Sequence, residues 1–206
     1  MFNKYIVSMK KTITVLLAAT LLCTLGMAQK KSGKSAKSTS LEVSFDYQRQ
    51  NTHGSNQYAV WIENEKGEVV KTLFVTAYTT KGRARGDEKL VRGYIKRPYC
   101  VPTWVKDVKA EELSDQQLDG FTGATPQDSG IKTFTWDFTD QQGKKVKPGT
   151  YQVFVEATLF DASAVLFKGS FSTKDKTGNA VTFTSSYTVP DDDHKGMVTN
   201  VKAVLK

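Results

Sequence analysis

Apolar and polar residues alternate along much of the chain after residue 40. In the stretch 41–50, the apolar side chains of Leu41, Val43, Phe45 and Tyr47 are separated by single residues, so they point to one face of an extended chain. The same period of two recurs in later stretches that turn residues separate. The pattern predicts seven to nine short strands among the segments 41–50, 58–64, 68–76, 91–96, 133–137, 151–159, 165–172, 180–189 and 197–205.

Turn residues connect these segments at regular intervals. Glu65-Lys66-Gly67 predicts a tight hairpin, because glycine adopts the positive φ that such a turn needs. The stretch 141–145 and Pro148-Gly149 mark two further turns. The sequence shows no internal repeat and no alternation of helices with strands. It therefore predicts an all-β, Ig-like antiparallel β-sandwich.

The region from residue 81 to residue 130 departs from the strand pattern. Pro98 and Pro102 oppose regular strand pairing. Thr103 predicts the N-cap of a short helix that runs from residue 104 to about residue 113. We therefore expect the sandwich to carry one short helix and a long irregular insertion, and insertions of that length are usually functional or disordered.

The first 28 residues have the features of a secretory signal peptide. Lys10 and Lys11 precede an apolar run at 13–25, and small residues follow as far as Ala28. The run has about 13 residues, fewer than the roughly 20 that span a bilayer. We predict export to the periplasm or cell envelope, with the leader engaging the secretion machinery and cleavage after Ala28.

The positive charge of the chain is concentrated before the predicted domain. The formal net charge is +8, yet residues 1–28 hold three Lys and residues 29–40 hold four, with no acidic residue in either stretch. The remaining 22 Lys and Arg face 21 Asp and Glu. The Lys/Ser-rich stretch 29–40 is typical of a flexible linker, and residues 41–206 form the predicted domain. The charge distribution argues against a nucleic-acid partner.

Two stretches of the predicted domain resemble known families. The block 134–151, with Trp136, Gly143, Pro148-Gly149 and Tyr151, resembles the Ig-like domain of flagellar hook-capping proteins, although Phe138 stands where that family usually has Gly. The whole domain resembles the predicted periplasmic family called domain of unknown function 2271. The residues that carry this second resemblance lie at 58–64, 71–75, 104, 119–126 and 136–151. The resemblance implies a fold and a compartment but no activity.

One short motif in the irregular region points to chemistry. Asp119-Gly120-Phe121-Thr122-Gly123-Ala124-Thr125 fits the pattern D-x-x-[ST]-G-A-[ST]. It resembles the acceptor site for covalent flavin attachment in exported redox proteins. The resemblance implies that an FMN transferase moves FMN from FAD onto Thr125. It also implies that the recognition positions are Asp119, Thr122, Gly123 and Ala124.

The residue types in the motif suit a phosphoester. The acceptor must be a hydroxyl, and small residues before it give the transferase access to the backbone. Tyr94, Tyr99 and Trp104 are candidates to stack on the flavin ring. The alternative interpretation is a tight surface turn before a strand, with Asp119 as a loop cap.

Two functions remain open from the sequence. The first is an exported electron-transfer protein that carries covalent FMN and exchanges electrons with a membrane-bound redox protein. The second is a non-catalytic Ig-like binding or assembly module of the cell envelope. The two His residues, His53 and His194, lie far apart in the sequence and match no metal-ligand spacing. No hydrolase motif is present, so we predict a cofactor carrier or binding module rather than a turnover enzyme.

Overall fold

A computed structural model describes residues 37–51, 54–82, 100–159, 163–189 and 196–206. The predicted signal peptide, most of the predicted linker and the strand predicted at 91–96 lie outside these ranges, as do Tyr94 and Tyr99. The strands are β1 Leu41–Tyr47, β2 Asn56–Asn64, β3 Val69–Thr76, β4 Thr122–Gly123, β5 Gly130–Trp136, β6 Thr150–Leu159, β7 Ser163–Ser172, β8 Ala180–Val181, β9 Phe183–Val189 and β10 Val198–Leu205. The helices are α1 Ala77–Lys81, α2 Pro102–Asp107 and α3 Asp115–Asp119, and a 3-10 turn lies at Ala110–Glu112.

The described strands form two sheets, which confirms the predicted all-β sandwich. One sheet has the order β5-β1-β10-β8, and the other has the order β4-β3-β2-β6-β7-β9. Neighbouring strands are antiparallel except for the short parallel pair of β3 and β4. The alternation in β1 is as predicted, because all four of its apolar side chains are at most 1% exposed and enter the core between the sheets.

The predicted turns occur where the sequence places them. Gly67 has a φ of 77° in the hairpin between β2 and β3. The Asn64 side chain accepts hydrogen bonds from the backbone N–H groups of Lys66 (2.9 Å) and Glu68 (3.1 Å). Glycine and asparagine therefore set the local geometry of this turn, as their chemistry predicts.

The block from Trp136 to Tyr151 contains one position that favours glycine but holds a bulky residue. Phe138 has a φ of 58°, and its ring packs edge-on against Trp136 at a centroid distance of 5.1 Å. Trp136 is fully buried and its Nε1 donates to the Thr139 carbonyl at 2.7 Å. The aromatic contact offsets the backbone strain that glycine would avoid.

The segment predicted as a strand at 180–189 serves both sheets. β8 pairs with β10 in the four-stranded sheet, whereas β9 pairs with β7 in the six-stranded sheet. A single strand over the whole segment is therefore wrong. Residues on either side of the break between β8 and β9 belong to opposite layers, and that change of sheet does not alter the alternating sequence pattern that predicted one strand.

The described residues 100–123 of the middle region contain more regular structure than predicted, namely α2, the 3-10 turn and α3. The predicted helix start is wrong: α2 begins at Pro102, and Thr103 lies inside it rather than capping it. The helix also ends at Asp107, well before residue 113. These helices cover the outer face of the six-stranded sheet and build a second apolar core, which contains Ala59, Trp61, Val75, Val101, Trp104, Ala110, Leu118, Phe121 and Phe154.

The end of the predicted linker contacts the sandwich. Lys37 forms a β-bridge with Lys176, the Ser38 hydroxyl donates to the Asp175 carbonyl at 2.8 Å, and the backbone N–H of Thr39 donates to the Lys206 carbonyl at 2.6 Å. No helix within the described ranges has the length and apolar character needed to span a bilayer.

Candidate functional site

The motif 119–125 lies at one edge of the six-stranded sheet. Asp119 is the last residue of α3, and Thr122 and Gly123 form β4. These two residues pair with Val75 and Thr76 of β3. The structure thus brings all five predicted site residues onto one connection between α3 and β5, outside the core that joins the two sheets.

Asp119 is exposed and forms an ion pair with Lys81, the last residue of α1. The pair joins the end of α3 to the end of α1. Lys81 lies 38 residues before Asp119 in the sequence. Nothing in the local pattern predicts this contact, because folding alone brings the two helix ends together.

Thr122 is a half-buried residue whose hydroxyl is committed to the fold. Its Oγ1 donates to the Leu118 carbonyl at 2.6 Å and lies 3.1 Å from the Oγ1 of Thr80. These bonds close the turn between α3 and β4 and connect it to α1. The Thr122 hydroxyl therefore stabilises the conformation of the motif and is not free to be modified.

Gly123 lies directly against an aromatic ring. A Cβ placed on Gly123 would overlap Cε2 of Phe74 and lie 2.9 Å from its Cζ. The Phe74 ring is packed on its other sides by Tyr58 and Phe134, at centroid distances of 5.1 Å and 5.3 Å. Packing therefore requires glycine at position 123, in addition to any requirement for access by a transferase.

Ala124 is exposed and Thr125 is half-buried. The Thr125 carbonyl accepts a hydrogen bond from Gln127 Nε2 at 2.9 Å. The Thr125 hydroxyl makes no hydrogen bond within the part of the chain that the structure describes. Of the two threonines in the motif, Thr125 is thus the one whose hydroxyl is uncommitted.

The residue after Thr125 is held by Tyr47, the last residue of β1, and by Arg49 just beyond that strand. Tyr47 Oη and Arg49 Nη1 both donate to the Pro126 carbonyl at 3.3 Å. The backbone N–H of Arg49 also donates to Ser129 Oγ at 2.9 Å. Burial raises the pKa of the Tyr47 hydroxyl, and the nearby Arg49 opposes that shift, so the phenol stays protonated and can donate at neutral pH. These contacts connect the acceptor loop to the four-stranded sheet.

Trp104 is wrong as a flavin-stacking residue. It is fully buried, its Nε1 donates to Thr72 Oγ1 at 3.1 Å, and Phe121 packs edge-on against it at 5.8 Å. A side chain enclosed in this way has no face for a ligand.

A group of buried carboxyl side chains lies between the six-stranded sheet and its helical layer. Glu156 is 3% exposed and accepts hydrogen bonds from the backbone N–H groups of Thr103 (3.0 Å) and Trp104 (2.9 Å). Burial raises the pKa of Glu156, and the N–H donors of Trp104 and Thr103 oppose that shift. Its partners are 52 and 53 residues away, so the sequence pattern did not reveal it.

Glu63 and Asp107 are two further carboxyl groups in this layer. Burial raises the pKa of both. Trp61 Nε1 donates to Glu63 Oε1 at 2.7 Å, which partly opposes the shift of Glu63, and the neighbouring Asp107 adds to it. The two groups therefore favour a state that holds a proton between them.

A cleft of about 350 Å³ opens beside these carboxyl groups, and Asp107, Phe121 and Val69 are among its lining residues. It lies towards the start of β3, whereas Gly123 pairs with the last residue of β3. Phe121 of the motif lines the cleft, but Thr125 does not, so the candidate acceptor lies outside the cleft. Within the described ranges, no group of three or more His, Cys, Asp or Glu residues is arranged to hold a metal ion.

One comparison with known proteins identifies the family. The model of the family described as a predicted periplasmic protein, DUF2271, matches residues 39–189, a range that includes β1 through β9 and the acceptor motif. No curated protein and no solved structure matches the chain. The match confirms the predicted family and the predicted periplasmic location. The chain belongs to the DUF2271 family of predicted periplasmic proteins.

Proposed function

We propose that this periplasmic protein carries FMN covalently on Thr125 and serves as an electron-transfer flavoprotein. The observation that supports the proposal is that the Thr125 hydroxyl is available for modification. It belongs to a flavin-acceptor-like motif, lies on an accessible connection and has no hydrogen-bond partner within the described residues. An enzyme can therefore modify it without breaking the fold.

The chemistry of attachment needs one hydroxyl and a second protein. An FMN transferase directs the Thr125 oxygen to the FMN phosphorus of FAD. The pyrophosphate bond breaks, a Thr–O–P bond forms, AMP leaves and the hydroxyl proton passes to a base or to solvent. The flavin supplies the redox chemistry when attached, and the protein supplies its position and surroundings.

The contacts around the acceptor suit a fixed attachment point. Gly123 packs on Phe74 before the acceptor, and the Pro126 carbonyl is held by Tyr47 and Arg49 after it. The Lys81–Asp119 ion pair fixes the start of the motif. A flavin on Thr125 would therefore be attached to a backbone that is constrained on both sides, which favours a defined distance to a membrane-bound redox partner.

The test is co-expression with an FMN transferase in the periplasm. We expect in-gel flavin fluorescence and a mass gain of one FMN for the wild type and for Thr125→Ser, because both offer a hydroxyl. Thr125→Ala should lose more than nine tenths of the signal. Thr133→Ala removes an exposed threonine of β5 outside the motif and should keep it.

Two results would contradict the proposal. One is a wild type that stays unmodified while the same transferase modifies a known acceptor protein. The other is Thr125→Ala modified as fully as the wild type. An unmodified wild type would leave the binding or assembly module as the function to pursue.

A further inference from the structure

We infer that Arg49 is the phosphate-binding residue of this site and that its guanidinium pairs with the phosphoester carried by Thr125. The inference rests on the proposed function and adds to it a residue that lies 76 positions from the acceptor in the sequence.

Arg49 is fixed beside the acceptor by two bonds. Its backbone N–H donates to Ser129 Oγ at 2.9 Å, and its Nη1 donates to the Pro126 carbonyl at 3.3 Å. Pro126 directly follows Thr125, so one end of the guanidinium contacts the carbonyl of the residue next to the acceptor. In the proposed product, the phosphate is bonded to the hydroxyl oxygen of Thr125, the residue adjacent to the one whose carbonyl the guanidinium contacts.

The guanidinium has donors to spare. Arginine carries five N–H groups in a planar fork, and the structure uses one side-chain nitrogen of Arg49, for the Pro126 carbonyl. Within the described part of the chain, no carboxylate oxygen lies within 4.0 Å of an Arg49 side-chain nitrogen, the distance that defines an ion pair. Asp46 is instead bonded to Asn200 at 2.6 Å, and Asp128 is exposed.

An arginine without a carboxylate, half-buried at a modification site, matches the charge that the modification creates. The phosphoester that joins Thr125 to FMN is a diester with one negative charge at neutral pH. A guanidinium fork binds phosphate oxygens in a bidentate geometry, and partial burial strengthens the pair. Lys132 is also close, but its Nζ donates to the Asp128 carbonyl at 3.2 Å and lies 5.4 Å over the Tyr47 ring. Lys132 is therefore a nearby cation with contacts of its own, and it serves as the matched control for Arg49.

The test on the FMN-carrying protein is phosphorus NMR. We expect the resonance of the attached diester to move in Arg49→Gln and to stay near the wild-type position in Lys132→Gln. Arg49→Lys keeps the positive charge but loses the planar guanidinium fork, so its phosphorus resonance should lie between those of Arg49→Gln and the wild type. Modification of all four proteins and their melting curves establish that each is folded. An unchanged resonance in folded Arg49→Gln would overturn the inference.

A second measurement needs no covalent attachment, so it separates this inference from the proposed function. Titrated with FMN and with riboflavin, unmodified protein should bind FMN about tenfold more tightly, because only FMN has a phosphate. Arg49→Gln should abolish that preference and Lys132→Gln should retain it. A wild type without the preference, or Arg49→Gln with it, overturns the role of Arg49 even if Thr125 carries FMN. A wild type that shows the preference but is never modified overturns attachment and leaves Arg49 as a binding residue for the phosphate of free FMN.

Discussion

The contact between Gly123 and Phe74 is the tightest constraint within the motif. A methyl group on Gly123 would overlap the Phe74 ring, and that ring cannot withdraw because Tyr58 and Phe134 pack against it. We therefore expect Gly123→Ala to lower the free energy of unfolding by about 1–3 kcal/mol. Urea denaturation followed by tryptophan fluorescence measures this loss.

Gly120 provides the matched control, since it lies in the same motif but in an ordinary helical conformation. A Cβ on Gly120 would lie 3.4 Å from its nearest neighbour, the Gln117 carbonyl oxygen, and its φ is −63°. Gly120→Ala should stay within about 0.5 kcal/mol of the wild type. Phe74→Leu combined with Gly123→Ala should recover part of the loss. Equal stability of both single variants would show that Phe74 moves aside.

The sequence predicted the candidate site only as far as its residues are neighbours along the chain. The motif 119–125 is a continuous stretch, so its residue types could be read together. Phe74 contacts Gly123 and Lys81 contacts Asp119, whereas Arg49 contacts Pro126 directly after the motif; these partners lie 38 to 77 residues apart in the sequence. No local periodicity predicts such contacts, because they depend on which strands and helices meet at the end of the sandwich.

At the scale of elements, the strands were predictable and most helices were not. β1, β2, β3 and β6 lie within about three residues of their predicted bounds. In β1 the half-buried strand imposes period two on its sequence, whereas β2 and β6 are buried along nearly all of their length. α1 and α3 have five residues each, too few for a period of 3.6 to become visible. α3 nevertheless has a signal in its capping box, in which Ser114 and Gln117 bond to each other's backbone N–H groups.

α2 depends on a distant carboxylate rather than on its own N-cap. Val101 stands at the cap position with a left-handed backbone and offers no side-chain acceptor. Glu156 of β6 accepts the N–H groups of Thr103 and Trp104 instead. We expect Glu156→Ala to lower the free energy of unfolding by about 1–3 kcal/mol, because it leaves the backbone N–H groups of Thr103 and Trp104 without their acceptor. Denaturant titration measures the change.

Glu112 gives the comparison for that variant. It is an exposed residue of the 3-10 turn in the same helical layer, so Glu112→Ala should change stability by no more than about 0.5 kcal/mol. Limited proteolysis should cut the segment 100–121 faster in Glu156→Ala than in either the wild type or Glu112→Ala. Equal cutting rates would mean that the helical layer does not depend on Glu156.

At the scale of the whole molecule, the insertion forms a third layer on the sandwich. It buries Trp104 and Phe121 against Trp61 and Phe154, whose rings stack at 4.9 Å. The sequence predicted two sheets but not this layer. Ala59 and Trp61 of β2 face the helical layer, and the alternating pattern alone does not show what covers that outer face. Glu63 and Glu156 are buried between the second and third layers and Asp107 is half-buried beside them. The raised pKa values of these three carboxyl groups predict that the stability of the whole molecule depends on pH.

The sign of that dependence follows from the raised pKa values of Glu63 and Asp107. The ordinary values are 4.5 for Glu and 3.8 for Asp, and both groups titrate above them in the folded state. Between the ordinary and the raised values, the folded protein binds more protons than the unfolded chain. Stability therefore falls as pH rises through this window and stays at the lower level above it.

Glu63→Gln tests the pH dependence because glutamine resembles the protonated glutamate. Its carbonyl can still accept from Trp61 Nε1, and its amide can donate to the Asp107 carboxylate, which removes the repulsion between two ionised groups. We expect the variant to lose less stability than the wild type between pH 4.5 and pH 8 and to be the more stable protein at pH 8. Urea titrations at both pH values measure this, with the exposed turn variant Glu65→Gln as the control that should follow the wild type. If the free energy of unfolding of Glu63→Gln falls with pH as steeply as that of the wild type, Glu63 and Asp107 ionise independently and another group causes the pH dependence.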